Sequence, residues 1–245
     1  GFEGFELYFQ PIYNTDDDSL SGAEALIRWN SRKYGFIGPN TFIPLLEDSA
    51  LIIPLGRWII NTAAKACNRW ITSIPDFVMH INLSFVQIVK SNIVKDVLEN
   101  IERYSAANNH YVFEITETIE MDQIPAVQNV FKEFVKNDFR FAIDDFGTGY
   151  SNYGYMRDRT FDIVKVDRSF VTDIDKLKDN YLMVSFIIKM AHEMGLHVCI
   201  EGVETKEELS CVKKLGADYI QGYYYGKPVC LQDFEEQHLK RFVLG

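Results

Sequence analysis

Residues 6–28, ELYFQPIYNTDDDSLSGAEALIR, decide how this chain folds. Two strand-forming runs, 6–13 (ELYFQPIY) and 19–28 (SLSGAEALIR), flank Asn14-Thr15-Asp16-Asp17-Asp18. A parallel crossover needs about a dozen residues, so this short link turns the chain straight back and makes an antiparallel hairpin. The Asp16-Asp17-Asp18 run is read as its solvated turn, because adjacent side chains at a loop tip do not converge on an ion.

The chain behind the hairpin alternates. Further strands are predicted at 78–83, 110–116, 139–144, 162–167, 197–201 and 218–222,. Amphipathic helices are predicted at 41–49, 55–71, 87–105, 123–137, 180–194 and 205–215, with Gly195 ending the fifth,. Eight strands alternating with helices point to an α/β fold, a modified TIM (β/α)8 barrel whose first strand runs antiparallel. Neither a linker nor a repeat divides the sequence, so residues 1–245 are read as a single domain.

Composition narrows the function. With 25 Lys+Arg against 35 Asp+Glu, the 245 residues carry a net charge of −10. That opposes binding of nucleic-acid polymers, which rests on neutralising phosphates, and opposes a polybasic membrane anchor. It leaves room for a small phosphate ligand, since a bound metal reverses the local sign. No apolar run is long enough to span a bilayer, and no secretory leader is expected,. Cys67, Cys199, Cys211 and Cys230 lack metal-binding spacing and are read as reduced thiols of a cytoplasmic protein,.

In such a barrel chemistry collects at the C-terminal strand ends. Here those ends carry Glu24, Asn82, Glu114, Asp144-Asp145, Lys165, Glu201 and Gln221. A buried, unpaired carboxylate costs several kcal/mol. Five converging on one mouth require cations, and an all-oxygen donor set favours Mg²⁺, Mn²⁺ or Ca²⁺ over zinc. The adjacent Asp144 and Asp145 suit a two-ion site of the kind used in phosphoryl chemistry.

These residues stand in motifs. Ala23-Glu24-Ala25-Leu26-Ile27-Arg28-Trp29, Ile81-Asn82-Leu83-Ser84 and Glu114-Ile115-Thr116-Glu117 come first. Asp144-Asp145-Phe146-Gly147-Thr148-Gly149-Tyr150-Ser151, Lys165-Val166-Asp167-Arg168-Ser169-Phe170, Glu201-Gly202-Val203-Glu204-Thr205 and Gln221-Gly222-Tyr223 follow in order. With Gln10-Pro11-Ile12 at the start, they resemble the EAL-domain cyclic di-GMP phosphodiesterases over almost the whole chain.

The resemblance implies hydrolysis of cyclic di-GMP to linear 5′-pGpG by a water that two Mg²⁺ or Mn²⁺ ions activate, in bacterial second-messenger signalling. Glu24, Asn82, Glu114 and Asp144 would hold the first ion, and Asp144 with Asp145 the second. Lys165 and Glu201 would act on the water or complete the second ion's shell. Gln10, Leu26, Arg28 and Gln221 would line the substrate, and Glu117 would anchor the loop after the fifth strand. Homodimerisation and sensor or GGDEF domains in a longer parent chain are also implied. A non-catalytic receptor, or a barrel enzyme acting on another phosphodiester, are the competing readings.

Other patterns carry less. His192-Glu193-Met194-Gly195-Leu196-His197 is one residue too long for a zinc-binding H-E-x-x-H, and Gly195 interrupts the helix,. Gly147-x-Gly149 lacks the third glycine of a dinucleotide fingerprint and is read as a loop. His80, His110 and His238 have no partner visible in sequence. The chain departs from the family at Met156-Arg157-Asp158-Arg159-Thr160, bordering the dimer surface of relatives, at Asn152-Tyr153, and at Ala50, where relatives commonly have Gly.

Overall fold

The computed structural model describes residues 2–116, 125–148 and 160–239. β1 (Phe5–Asn14) and β2 (Leu20–Ser31) form the antiparallel hairpin, with Gln10 opposite Glu24. Its turn is closed by Asn14 N–H donating to Ser19 O (2.9 Å) and Ser19 N–H donating to Asp17 Oδ1 (2.9 Å). Asp18 instead pairs with Lys213, so the three aspartates point to different partners or to water.

β3 (Gly35–Ile37) doubles back on the end of β2. Then β4 (Val78–Asn82), β5 (Tyr111–Thr116), β6 (Arg140–Phe146), β7 (Ile163–Val166), β8 (His197–Glu201) and β9 (Tyr219–Gln221) add in parallel, each beside the last, starting from β2. β9 closes onto β1 in antiparallel register, with Gln221 opposite Ile12. The eight-stranded barrel expected from the hairpin is thus complete, and β10 (Val229–Cys230) borders β1 outside it.

The helices are α1 (Pro39–Asp48), α2 (Ile52–Trp70), α3 (Phe85–Lys90), α4 (Ile93–Ile101), α5 (Pro125–Lys136), α6 (Lys178–Glu193), α7 (Lys206–Leu215) and the short α8 (Leu231–Phe234). The single helix predicted over 87–105 is two. Ser84 and Gln87 close a capping box on α3, and the Asn92 side chain accepts from Lys95 N–H to start α4 afresh. Local capping wins over a continuous apolar period. Between α1 and α2, Ala50 has φ 57, a left-handed conformation that favours the glycine expected there,.

Two layers of side chains explain the site. Outside the barrel, aromatic and aliphatic residues such as Phe9, Trp70, Phe77, Phe113, Phe134 and Phe141 are buried against the helices. Inside, Ile12, Val112, Ala142, Ile163 and Cys199 form a separate apolar plug. Strand side chains repeat every second residue. The inward positions one step toward the mouth are therefore Gln10 (on reversed β1), Glu114, Asp144, Lys165 and Glu201. The polar residues are the next floor of the same interior, resting on the plug.

Candidate active site

Lys165 is the hub. Fully buried, its ammonium lies 2.7 Å from Glu201 Oε1, 2.8 Å from Glu114 Oε2, 3.0 Å from Asp144 Oδ1 and 3.4 Å from Glu24 Oε2. Around this hub the amides hold the carboxylates in place. Asn82 Nδ2 donates to Glu24 Oε1 (2.6 Å), and Gln221 Nε2 donates to Glu24 Oε2 (2.6 Å) and Gln10 Oε1 (3.1 Å). Gln10 Nε2 in turn reaches Gly226 O at 3.3 Å. His80 Nδ1 lies 2.7 Å from Glu114 Oε1.

One ammonium does not balance these acids, and the ionisation of each group shows it. Burial pushes the Glu24 carboxyl up, but Lys165, Gln221 and Asn82 more than reverse this and bring it to about 2. Burial pushes Glu201 up to about 8, helped by Asp144 and Glu24 against the pull of Lys165. Burial and the Glu24 charge raise Glu114 well above the carboxylate range. Asp145 is raised by burial and by Asp144. Burial alone would lower Lys165, yet Asp144, Glu114, Glu201 and Glu24 hold it well above the usual lysine value. Burial and Lys165 press His80 down to about 3, so it is neutral.

Asp144 and Asp145 sit where β6 breaks register. Ile143 pairs with Val164, but the next pair is Phe146 with Val166. The extra residue is a bulge, a device that re-aims side chains beside a site. Asp145 takes φ 53, and Thr148 secures the turn by donating its N–H and hydroxyl to Asp145 O (3.2 and 2.8 Å). Gly147, at φ 97, lies against the Phe170 ring, where a Cβ would stand 2.7 Å from the ring. Both backbone conformation and space require glycine there.

The residues fit divalent cations. Ligand oxygens of Asp144, Asp145 and Glu201 can come within 4.8 Å of one another. Asp144 Oδ1 is buried without a hydrogen bond, despite its ion-pair distance to Lys165, and Gln221 Oε1 is likewise buried and unbonded. An all-oxygen set that includes a buried carboxylate oxygen with an ion-pair contact but no hydrogen bond suits a hard cation,.

A cavity of about 290 Å³ opens over this floor, lined by Gln10, Glu24, Leu26, Asp144, Asp145, Glu201 and Gln221 among others. Arg28 is not part of this lining; its half-buried side chain holds the guanidinium 5.8 Å from the Tyr8 ring centroid and donates to Ile27 O. The structure thus brings Gln10, Glu24, Leu26, Asn82, Glu114, Asp144, Asp145, Lys165, Glu201 and Gln221 together. Glu117, expected as the loop anchor, lies outside the described residues, as do Gly149 and residues 150–159.

Asp167, Arg168, Glu204 and Tyr223 also line the cavity, although sequence reasoning assigned them no role. Their position just past Lys165, Glu201 and Gln221, on the same strand-end loops, was the available signal. His80 was missed as well. It stands two residues before Asn82 on β4, on the same inward face,.

The family model of the EAL domain matches residues 3–228. The chain is 34% identical over 246 residues to an uncharacterized protein of Synechocystis, an alignment covering 98% of this chain and 35% of that protein. It is 32% identical over 227 residues to the probable cyclic di-GMP phosphodiesterase PdeG of Escherichia coli, covering 92% of this chain and 45% of that one. The solved structure of the EAL enzyme Bd1971, in its cAMP and cyclic-di-GMP bound form, superposes with a TM-score of 0.90 at 36% identity, covering 96% of this chain and 64% of that one. The chain therefore spans less than half the length of these two curated relatives.

Proposed function

This chain belongs to the EAL domain family, and on that premise we propose that it is a divalent-metal-dependent phosphodiesterase that hydrolyses cyclic di-GMP to linear 5′-pGpG. The observation that carries the reading is the convergence of Glu24, Asn82, Glu114, Asp144, Asp145, Lys165 and Glu201 on one barrel mouth, with more acid than the single ammonium offsets.

Glu24, Asn82, Glu114 and Asp144 would hold one Mg²⁺ or Mn²⁺, and Asp144 with Asp145 a second. Bound there, such ions supply charge neutralisation and make water acidic enough to ionise near neutral pH. The chain's own groups do the rest. Leu26, Gln10 and Gln221 from the cavity lining, with the Arg28 guanidinium two residues beyond Leu26 on β2, would receive and orient the nucleotide. Lys165, kept charged by its four carboxylates, stabilises negative charge on the phosphate and the attacking oxygen. Glu201, a carboxylate at the mouth held 2.7 Å from the Lys165 ammonium, would accept the proton of the attacking water once bound cations favour its charged form,. Water adds across one P–O3′ bond, leaving a 5′-phosphate and a free 3′-hydroxyl.

The same reading includes a cytoplasmic location, additional sensor or GGDEF domains in a longer parent chain, and a homodimer. Leu182, Met183 and Phe186, exposed along α6, are the apolar face available to a second copy.

Purified protein given cyclic di-GMP with Mg²⁺ or Mn²⁺ is expected to release pGpG, EDTA to stop it, and Glu24→Ala to lower turnover by about 10³-fold. Tight binding of cyclic di-GMP with no metal-dependent turnover in the native protein would sink the enzyme reading and leave a receptor.

A further inference from the structure

His80 is an unexpected tenant of the barrel interior. Its ring and the Glu114 carboxylate are buried together, at 5% and 0% side-chain exposure. The two residues sit 34 positions apart and meet because β4 and β5 are neighbours, with Asn82 beside Glu114 in the register. His80 Nδ1 holds Glu114 Oε1 at 2.7 Å, while the Lys165 ammonium holds Glu114 Oε2 at 2.8 Å. Each oxygen of this one carboxylate thus has its own partner.

The two partners differ in kind. Lys165 divides its ammonium among four carboxylates, so its hold on Oε2 is shared and replaceable. His80 is committed to Glu114 alone among its described contacts, and it sits on the plug side of Asn82 along β4. A carboxylate that binds a cation can only accept at its other oxygen, so the imidazole must be the donor, through Nδ1–H. Carboxylate ligands held by such outer partners keep their orientation, and losing the partner typically weakens metal binding by about 10–100-fold.

We propose that His80 is a positioning residue for the metal centre: its Nδ1–H pins Oε1 of Glu114, so that Glu114 meets a divalent cation through Oε2 alone and in a fixed orientation. This rests on the metal-dependent reading above.

Calorimetric titration with Mn²⁺, without nucleotide, tests it on the native chain, His80→Ala and His80→Asn, alongside their melting temperatures. His80→Ala is expected to bind Mn²⁺ about 10–100-fold more weakly. His80→Asn, whose side-chain amide can offer an N–H to the same oxygen, is expected to recover most of the loss. A merely structural role would move melting temperature without this rescue. Native affinity in His80→Ala, or equal weakness in the alanine and asparagine variants, would overturn the proposal. If the alanine variant does not fold, His80→Leu takes its place against His80→Asn, and equal affinities in that pair overturn it. The two readings fail differently. A native chain that binds Mn²⁺ but leaves cyclic di-GMP intact overturns the phosphodiesterase, and the variants still decide the role of His80. A native chain that binds no Mn²⁺ overturns both.

Discussion

The two ends of the barrel handle acid differently. At the N-terminal end of the strands, two half-buried acids have their own donors. Asp218 accepts from His192 Nε2 (2.8 Å), His197 Nδ1 (3.3 Å) and Val198 N–H (2.7 Å), and Asp162 accepts from Phe141 N–H at 3.0 Å. At the other end, four carboxylates share one ammonium and Asp144 Oδ1 has no hydrogen bond. Yet the larger cavity, about 640 Å³ and lined by Asn14, Asp76, His110, Arg140 and Tyr219, lies at the well-paired end. Cavity size is a poor guide here. The unsettled acid balance, not the volume, singles out the mouth as the candidate site.

The hub offers the most forceful way to break this contrast. Lys165→Met removes the one cation from a buried cluster and is expected to destabilise the metal-free protein by about 3–5 kcal/mol. Urea unfolding measures it, and a loss under about 1 kcal/mol would mean that the mouth is no more dependent on positive charge than the opposite end.

Next in size is metal addition. Mn²⁺ at a hundred times its dissociation constant is expected to raise native stability by about 2.7 kcal/mol for each ion bound. The increment should vanish in Asp144→Ala and persist in Asp218→Asn. An equal loss in both variants would erase the distinction between the two ends.

The smallest effect sits at the settled end. Its hydrogen bond to Asp218 raises the His197 pKa above 6.5, so this contribution is full below pH 6.5 and is lost as pH rises through the raised value. Asp218 works in the other direction. Burial raises its carboxyl, but the hydrogen bonds from His197, His192 and Val198 bring it to about 2, so its contribution is full above pH 3.8 and lost as pH falls toward 2. Because both groups are partly exposed, His197→Phe is expected to cost under about 1 kcal/mol at pH 5.5 and nothing at pH 9. Melting temperatures across that range check it, and a pH-independent loss would show packing rather than charge.

Much of this was legible beforehand. The eight barrel strands lie within a few residues of their predicted spans, because each is an apolar run bounded by turn chemistry and a five-residue link cannot make a parallel crossover. β3 and β10 were not legible. They are three and two residues long, too short for any period, and exist because an adjacent strand edge offers them hydrogen bonds. The split between α3 and α4 was hidden by a continuous apolar stripe, although Asn92 carried the cap chemistry in plain view.

The carboxylate cluster was readable because strand ends are a known address. The central place of Lys165 was not, since nothing in one dimension says which of several acids surround it. Nor did sequence pair His192 and His197 through Asp218, which reaches them from the start of another strand. Each histidine meets one oxygen of the Asp218 carboxylate by a hydrogen bond, and the helix between them ends at Gly195, where φ is 78.

The reversed first strand also decides the wiring of the molecule. With Gln10 level with Glu24 at the mouth and Phe5 level with Trp29 beyond it, β1 begins above the candidate site and runs down away from it. In an all-parallel barrel, the first strand would begin at the far end, a full barrel length from the chemistry. Here any segment joined ahead of Phe5 is tethered on the side of the polar mouth, within a few residues of Gln10. A push or twist on that tether would pass along one strand directly into a side chain that touches Gln221, and through it Glu24.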